Sequence, residues 1–156
     1  MLKKTILITF FLFISSCGYE PIHSKKNSKD YNFSIDSINF EGDRDVNLRI
    51  KKTLNSYILN KKSKSYILDI NTVTKKTTIS KDAAGNPTNF ESFITVTVKV
   101  LIGKDIKKNI KIKKKFKYNN NKDKFELKNY ERQLKNNWGE SITEELIFNI
   151  SNIQWY

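Results

Sequence analysis

The run FESFITVTVKVLIGKDIKKNIKIKKKFKY, residues 90–118, decides how this chain folds. Ile94, Val96, Val98, Val100 and Ile102 are aliphatic, and Thr95, Thr97 and Lys99 fill the places between them. Successive strand residues point to opposite faces, so this period of two predicts a strand over 90–102 with one apolar face. Gly103-Lys104-Asp105 supplies a turn. A second strand follows over 106–118. Ile106, Ile110, Ile112, Phe116 and Tyr118 are expected on one face. Lys107, Lys111, Lys113, Lys115 and Lys117 are expected on the other, with Asn109 among them. Lysines two residues apart on a strand stand roughly 6.6–6.8 Å from one another. They form a candidate anion-binding surface, set against two plainer readings: a solvated sheet face, or charges that protect an edge strand from pairing.

Upstream of that hairpin, residues 65–80 alternate as well: Tyr66, Leu68 and Ile70 against Asp69 and Asn71. Together with their β-branched residues this predicts a long strand. The cluster KDAAGNPTN, with Gly85, Asn86 and Pro87, turns the chain into the 90–102 strand. Residues 33–40 (FSIDSINF) hold two alternating registers, Phe33/Ile35 and Ile38/Phe40, which predicts one strand carrying a bulge. Gly42 and Asp43 end it.

Two segments have helical spacing instead. Over 44–61, Val46, Ile50, Leu54, Tyr57 and Ile58 fall on one face, with Asp43 or Asp45 as N-cap. Over 124–152, Leu127, Tyr130, Leu134, Trp138, Ile142, Leu146 and Ile150 recur three or four apart. Glu131 and Lys135 are expected to pair along the outer side of this helix. Gly139 lies in its middle, the mark of a kink or of close packing. The order is β-α-β-β-β-α. The expected fold is α+β: a two-layer sandwich with both helices on one face of a mainly antiparallel sheet.

The first residues read differently. Lys3 and Lys4 precede a ten-residue apolar run, Thr5 to Ile14, and then Ser15, Ser16 and Cys17. That is the layout of a secretory signal. Ten residues make about 15 Å of helix, half of a ~30 Å hydrocarbon core, so a permanent span is not expected. Ile14-Ser15-Ser16-Cys17 resembles the lipobox of bacterial lipoproteins. The resemblance implies cleavage before Cys17 and acyl chains, palmitate among them, on Cys17. Gly18 follows, without the Asp that retains many lipoproteins at the inner membrane. The expected organisation is a signal peptide over 1–16, a lipidated Cys17 and tether over 17–32, and one domain over 33–156.

Composition narrows the chemistry. The chain carries a formal charge of +13, with 29 Lys and Arg against 16 Asp and Glu. Much of this is lysine, which with Asn and Ile has A/T-rich codons; codon bias accounts for the total charge more readily than for its placement. Basic chains suit anionic partners: nucleic acid, phospholipid or phosphorylated lipid. Cys17 and His23 are the lone residues of their kinds. A His/Cys zinc cluster is therefore impossible, and a Ser-His-Asp triad has little to build on. The five glycines form no phosphate-loop or nucleophile-elbow pattern. Ser141-Ile142-Thr143-Glu144 matches a capping box, but it falls inside a helical pattern. No catalytic residue, metal or cofactor is expected.

Three stretches carry a family resemblance: the start CGYEPIH, the turn KDAAGNPTNF, and above all the closing KFELKNYERQLKNNWGESITEELIFNIS. With the helix over 44–61 they resemble the LPS-assembly lipoprotein LptE, especially its shorter alphaproteobacterial forms, across most of residues 17–152. The resemblance implies an α+β domain tethered to the periplasmic face of the Gram-negative outer membrane. It also implies that the domain plugs an LptD β-barrel and binds lipopolysaccharide, with no covalent chemistry and no nucleic acid. The five-lysine stripe is the candidate contact for that lipid. Two alternatives stand beside it: a periplasmic lipoprotein that scaffolds another envelope complex, and a basic nucleic-acid-binding domain whose N-terminus only imitates a signal.

Overall fold

A computed structural model describes residues 31–154. Cys17 and His23, and Trp155 and Tyr156 at the other end, lie outside the described residues. The elements are β1 (Ser34–Gly42), α1 (Arg44–Leu59), β2 (Ser65–Lys81), β3 (Pro87–Ile102), β4 (Asp105–Asn119) and α2 (Lys124–Ser151). The strands form one sheet in the order β1-β2-β3-β4. β1 runs parallel to β2, and the other two pairings are antiparallel. This is the α+β architecture and element order expected from the alternation patterns.

β1 carries the expected bulge. Its register slips between Ile35 and Ser37, leaving Asp36 without a partner on β2. The slip lets Ile35, Ile38 and Phe40 all turn toward the helices. The strand must then release the chain, and Gly42 does so at φ +91°, a region that disfavours side chains. Asp43 caps α1 by accepting from the N–H groups of Asp45 at 3.0 Å and Val46 at 3.1 Å. Beneath the cap, the buried Thr72 hydroxyl donates to Asn47 Oδ1 at 2.9 Å. Asn47 Nδ2 in turn donates to the Glu41 carbonyl at 3.0 Å. Neither polar group is buried unsatisfied, which would cost about 1–3 kcal/mol.

The main core lies between the sheet and both helices. Val46, Ile50 and Leu54 of α1 and Ile142, Leu146 and Ile150 of α2 are wholly buried. They meet Leu68, Ile70, Val96, Val98 and Val100 from the central strands, which are equally buried. Each such side chain contributes about 1.5–3 kcal/mol of transfer free energy. Tyr57 is only half-buried; its ring stacks on Phe33 with centroids 4.9 Å apart. A smaller cluster of Phe90, Tyr118 and Leu127 fills the far half of the sheet under the start of α2.

The two helices run parallel, since contacts advance along both together: Asp43 with Lys135, then Arg49 with Glu140. At Gly139 the two helices pack closely. A Cβ there would lie 2.9 Å from the Cβ of Arg49. Close packing, then, is the role of this mid-helix glycine. The Ser141–Glu144 match to a capping box lies inside α2 and caps nothing.

Two expectations about α2 are corrected. Tyr130 is 46 % exposed rather than buried, because the part of α2 before Lys135 projects past the start of α1, which leaves it no neighbouring helix. Glu131 and Lys135 do not pair along an outer surface. Glu131 turns to Lys76 of β2 at 2.5 Å and to the Tyr118 hydroxyl at 2.6 Å. Lys135 reaches Asp43 at 2.7 Å. Both side chains fasten α2 to other elements instead of to each other.

Candidate anion-binding face

β4 is an edge strand whose one sheet neighbour is β3. Lys111, Lys113, Lys115 and Lys117 lie opposite Thr97, Thr95, Phe93 and Glu91. All four are exposed, while Ile110, Ile112 and Tyr118 on the same strand are buried. Alternation therefore puts the four ammonium groups on the face of the sheet that carries no helix. Lys117 comes within 3.9 Å of Glu91 across the ladder, a long contact with an exposed lysine and a largely covered carboxylate.

The stripe departs from expectation at its start. Val100 faces Lys108, but Leu101 faces Ile106, so Lys107 has no partner and sits at a bulge. A one-residue slip reverses every side chain beyond it. Ile106 is accordingly 53 % exposed, on the helix-free face with Leu101 and not with Ile110. Lys107 is exposed but falls outside the regular two-residue spacing of the other four.

Two further lysines of β4 belong to the helix side. Lys114 pairs with Glu145 of α2 at 2.6 Å, and Lys108 donates to the Asn149 carbonyl at 3.5 Å. The register also brings in two lysines outside the predicted stripe. Lys75 and Lys115 lie on either side of Phe93, and Lys99 lies between Asp69 and Asn109. Lys75 was within reach of sequence reasoning, since the alternation of β2 continues past Asn71. Its place beside Phe93 depends on the strand register.

The helix-free face is divided in charge. Along β1 and β2, Asn39 donates to Asp69 at 2.8 Å and Asn71 donates to Glu41 at 3.1 Å. These residues line a shallow concavity of about 560 Å³ that reaches Thr97 and Lys99. The β4 side is basic, with the half-buried Phe93 as its apolar centre. An amphiphile with phosphate or carboxylate groups fits that side: the ammonium groups offer charge-assisted hydrogen bonds, and Phe93 offers an apolar contact.

On the helix side, one titrating cluster holds the far half together. Burial and the Glu131 carboxylate push the Tyr118 hydroxyl up to about 12. Burial opposes ionisation of Glu131, but Lys76 and the Tyr118 hydroxyl outweigh it and lower its pKa. Lys76 also stands 3.7 Å above the Phe90 ring. Among the described residues no group of three or more His, Cys, Asp or Glu side chains is arranged to hold a metal ion. No helix among them is long and apolar enough to cross a membrane.

No protein-family model matches the sequence, and no curated protein does. Solved structures match its fold. Rare lipoprotein B from Shewanella oneidensis superposes with a TM-score of 0.55 at 13% identity, covering 74% of this chain and 97% of that one. A minor lipoprotein from Acinetobacter baumannii gives 0.55 at 14% identity, covering 76% and 92%. Lipoprotein B from Nitrosomonas europaea gives 0.51 at 11%, covering 78% and 86%. At these identities the likeness is one of fold: the four-stranded sheet with two helices is an arrangement that proteins named as lipoproteins also adopt.

Proposed function

We propose that this protein is a lipoprotein of the LptE type, anchored through Cys17 at the periplasmic face of the outer membrane. It sits in and supports an LptD-like β-barrel and binds lipopolysaccharide as that lipid passes to the outer leaflet. One observation carries the reading: a ladder of lysines stands on the helix-free face of a fold shared with rare lipoprotein B. Lys111, Lys113, Lys115 and Lys117 meet the phosphates and sugar carboxylates of the lipid, and Lys107, set apart at the bulge, is not needed for that contact. The work is binding and scaffolding, without bond-making. Two or more acyl chains on Cys17 hold the domain stably where one would be marginal.

Purification of the tagged protein from detergent-solubilised outer membranes tests the partner. A large β-barrel and lipopolysaccharide should come with it. If no such barrel does, the LptE reading fails and a scaffold of another envelope complex takes its place. The mass of the mature N-terminus tests the anchor: an intact Met1 with unmodified Cys17 would sink the lipoprotein reading and favour the basic nucleic-acid-binding domain.

A further inference from the structure

The topology gathers four chain segments at one end of the sandwich. β1 enters beside the start of β2, where the Ser34 N–H donates to the Lys64 carbonyl at 2.7 Å. The Ser34 hydroxyl also lies within 3.5 Å of the Lys62 carbonyl, so the loop after α1 closes against the point of entry. The β3–β4 turn is at the same end, because Ile67 near the start of β2 pairs with Leu101, and Leu101 with Ile106. The C-terminal turn of α2 is there too, held by Lys108 at the Asn149 carbonyl.

This end differs in charge from the other. Lys61, Lys62, Lys64, Lys104 and Lys107 stand against two aspartates, Asp36 and Asp105. At the opposite end, around the β2–β3 turn and the start of α2, Lys81, Lys122 and Lys124 are balanced by Asp82, Asp123 and Glu126. The parallel helices bring two negative dipole ends to the lysine-rich side, which accounts for Lys61 and Lys62 after α1 and for Lys108, but not for Lys104 and Lys107 on the sheet turn. Large apolar side chains are also left in solvent here, among them Leu59 at 71 % exposure and Ile106 at 53 %. Ile106 is exposed because the Lys107 bulge turns it out of the core.

We propose that this end is a membrane-docking surface. Lys61, Lys104 and Lys107 meet the anionic headgroups of a bilayer, and Leu59 and Ile106 press into the headgroup boundary. Charge complementarity favours this occupant, and so does the apolar content, since basic side chains with a few apolar ones are what interfacial binding needs. The chain also enters the domain at this end, so an anchored tether would leave it facing the lipid. The proposal rests on the lipoprotein reading for the membrane's presence, not for the surface itself.

The test uses the mature protein reconstituted into vesicles of phosphatidylcholine, alone or mixed with phosphatidylglycerol, that carry a lipid-borne quencher. A polarity-sensitive dye is placed at Ser63→Cys or, at the far end, at Ala84→Cys. In the mixed vesicles the dye at 63 should be quenched several-fold more than the dye at 84. That difference should collapse in pure phosphatidylcholine, and in a Lys61→Gln, Lys104→Gln, Lys107→Gln variant. Equal quenching at both ends, or a difference indifferent to phosphatidylglycerol and to the three lysines, overturns the proposal. The mass of the same preparation reports lipidation independently. If acyl chains are absent, salt-sensitive sedimentation with phosphatidylglycerol vesicles decides the surface alone. Binding there should weaken about fivefold for each lysine removed, and no change overturns it.

Discussion

Gly42 packs so closely against Thr72 that a Cβ at residue 42 would stand 1.8 Å from the Thr72 carbonyl oxygen. The same carbonyl accepts the Asp43 N–H at 3.1 Å, so it cannot withdraw without breaking the link between β1 and α1. Gly42→Ala should therefore cost at least about 3 kcal/mol, from the clash together with strain at positive φ. Urea unfolding of the variant measures it, and a loss below about 1 kcal/mol would contradict this geometry.

Gly139→Ala sets two effects against each other. Helix propensity favours alanine by about 1 kcal/mol. The new methyl would meet Arg49 Cβ at 2.9 Å, and overpacking costs about 1–3 kcal/mol. The contact is with the root of the Arg49 side chain, which has little freedom to yield, so the steric cost should win. A lowered melting temperature is expected; a raised one would mean that the helices part easily.

Asp43 links pH to stability. Burial opposes its ionisation, but Lys135, the Thr74 hydroxyl and the Val46 N–H outweigh it and lower its pKa. A carboxyl with a depressed folded pKa contributes stability that is present above its unfolded value, about 4, and lost as pH falls through the folded one. Unfolding free energy should drop more steeply below about pH 4 in the wild type than in Asp43→Asn. Identical acid limbs would show that the cap makes no net difference.

Tyr118 acts at the alkaline end. Its folded value near 12 exceeds the ordinary value of 10. The neutral phenol thus contributes stability that is complete below about 10 and lost as pH rises toward about 12. Tyr118→Phe should lack that alkaline loss. Glu131→Gln should bring the phenol down toward its ordinary value, which difference ultraviolet titration against Tyr118→Phe can read.

The lysine ladder makes a prediction about placement. Changing Lys111, Lys113 and Lys115 to Ser should weaken lipopolysaccharide binding by roughly tenfold, at a few-fold per exposed charge. Changing Lys51, Lys52 and Lys128, exposed on the helices, should have much less effect. Equal losses in a binding titration would mean that total charge alone attracts the lipid.

The elements were legible because each depends on a local period. The alternation from Ile94 to Val100 survives in β3, and the two registers around Asp36 survive as a bulge. Asp43, one of two possible caps, is the one that binds the α1 N–H groups. The candidate face was legible from Lys111 to Lys117, where no register shift intervenes. It failed at Ile106, because a bulge depends on how β4 must meet β3 and leaves no mark in β4's own spacing.

By itself the sequence determined the period of the strands and helices away from the β4 bulge, the turns between them and the basic character of β4, since these follow from the few residues nearest each position. The tertiary structure alone decided that Lys108 and Lys114 serve α2, that Glu131 and Lys135 bind different elements, and that Phe93 lies between Lys75 and Lys115. Such pairings join residues far apart in the chain. They depend on which strand lies beside which and in what register, and burying the whole core at once selects that arrangement.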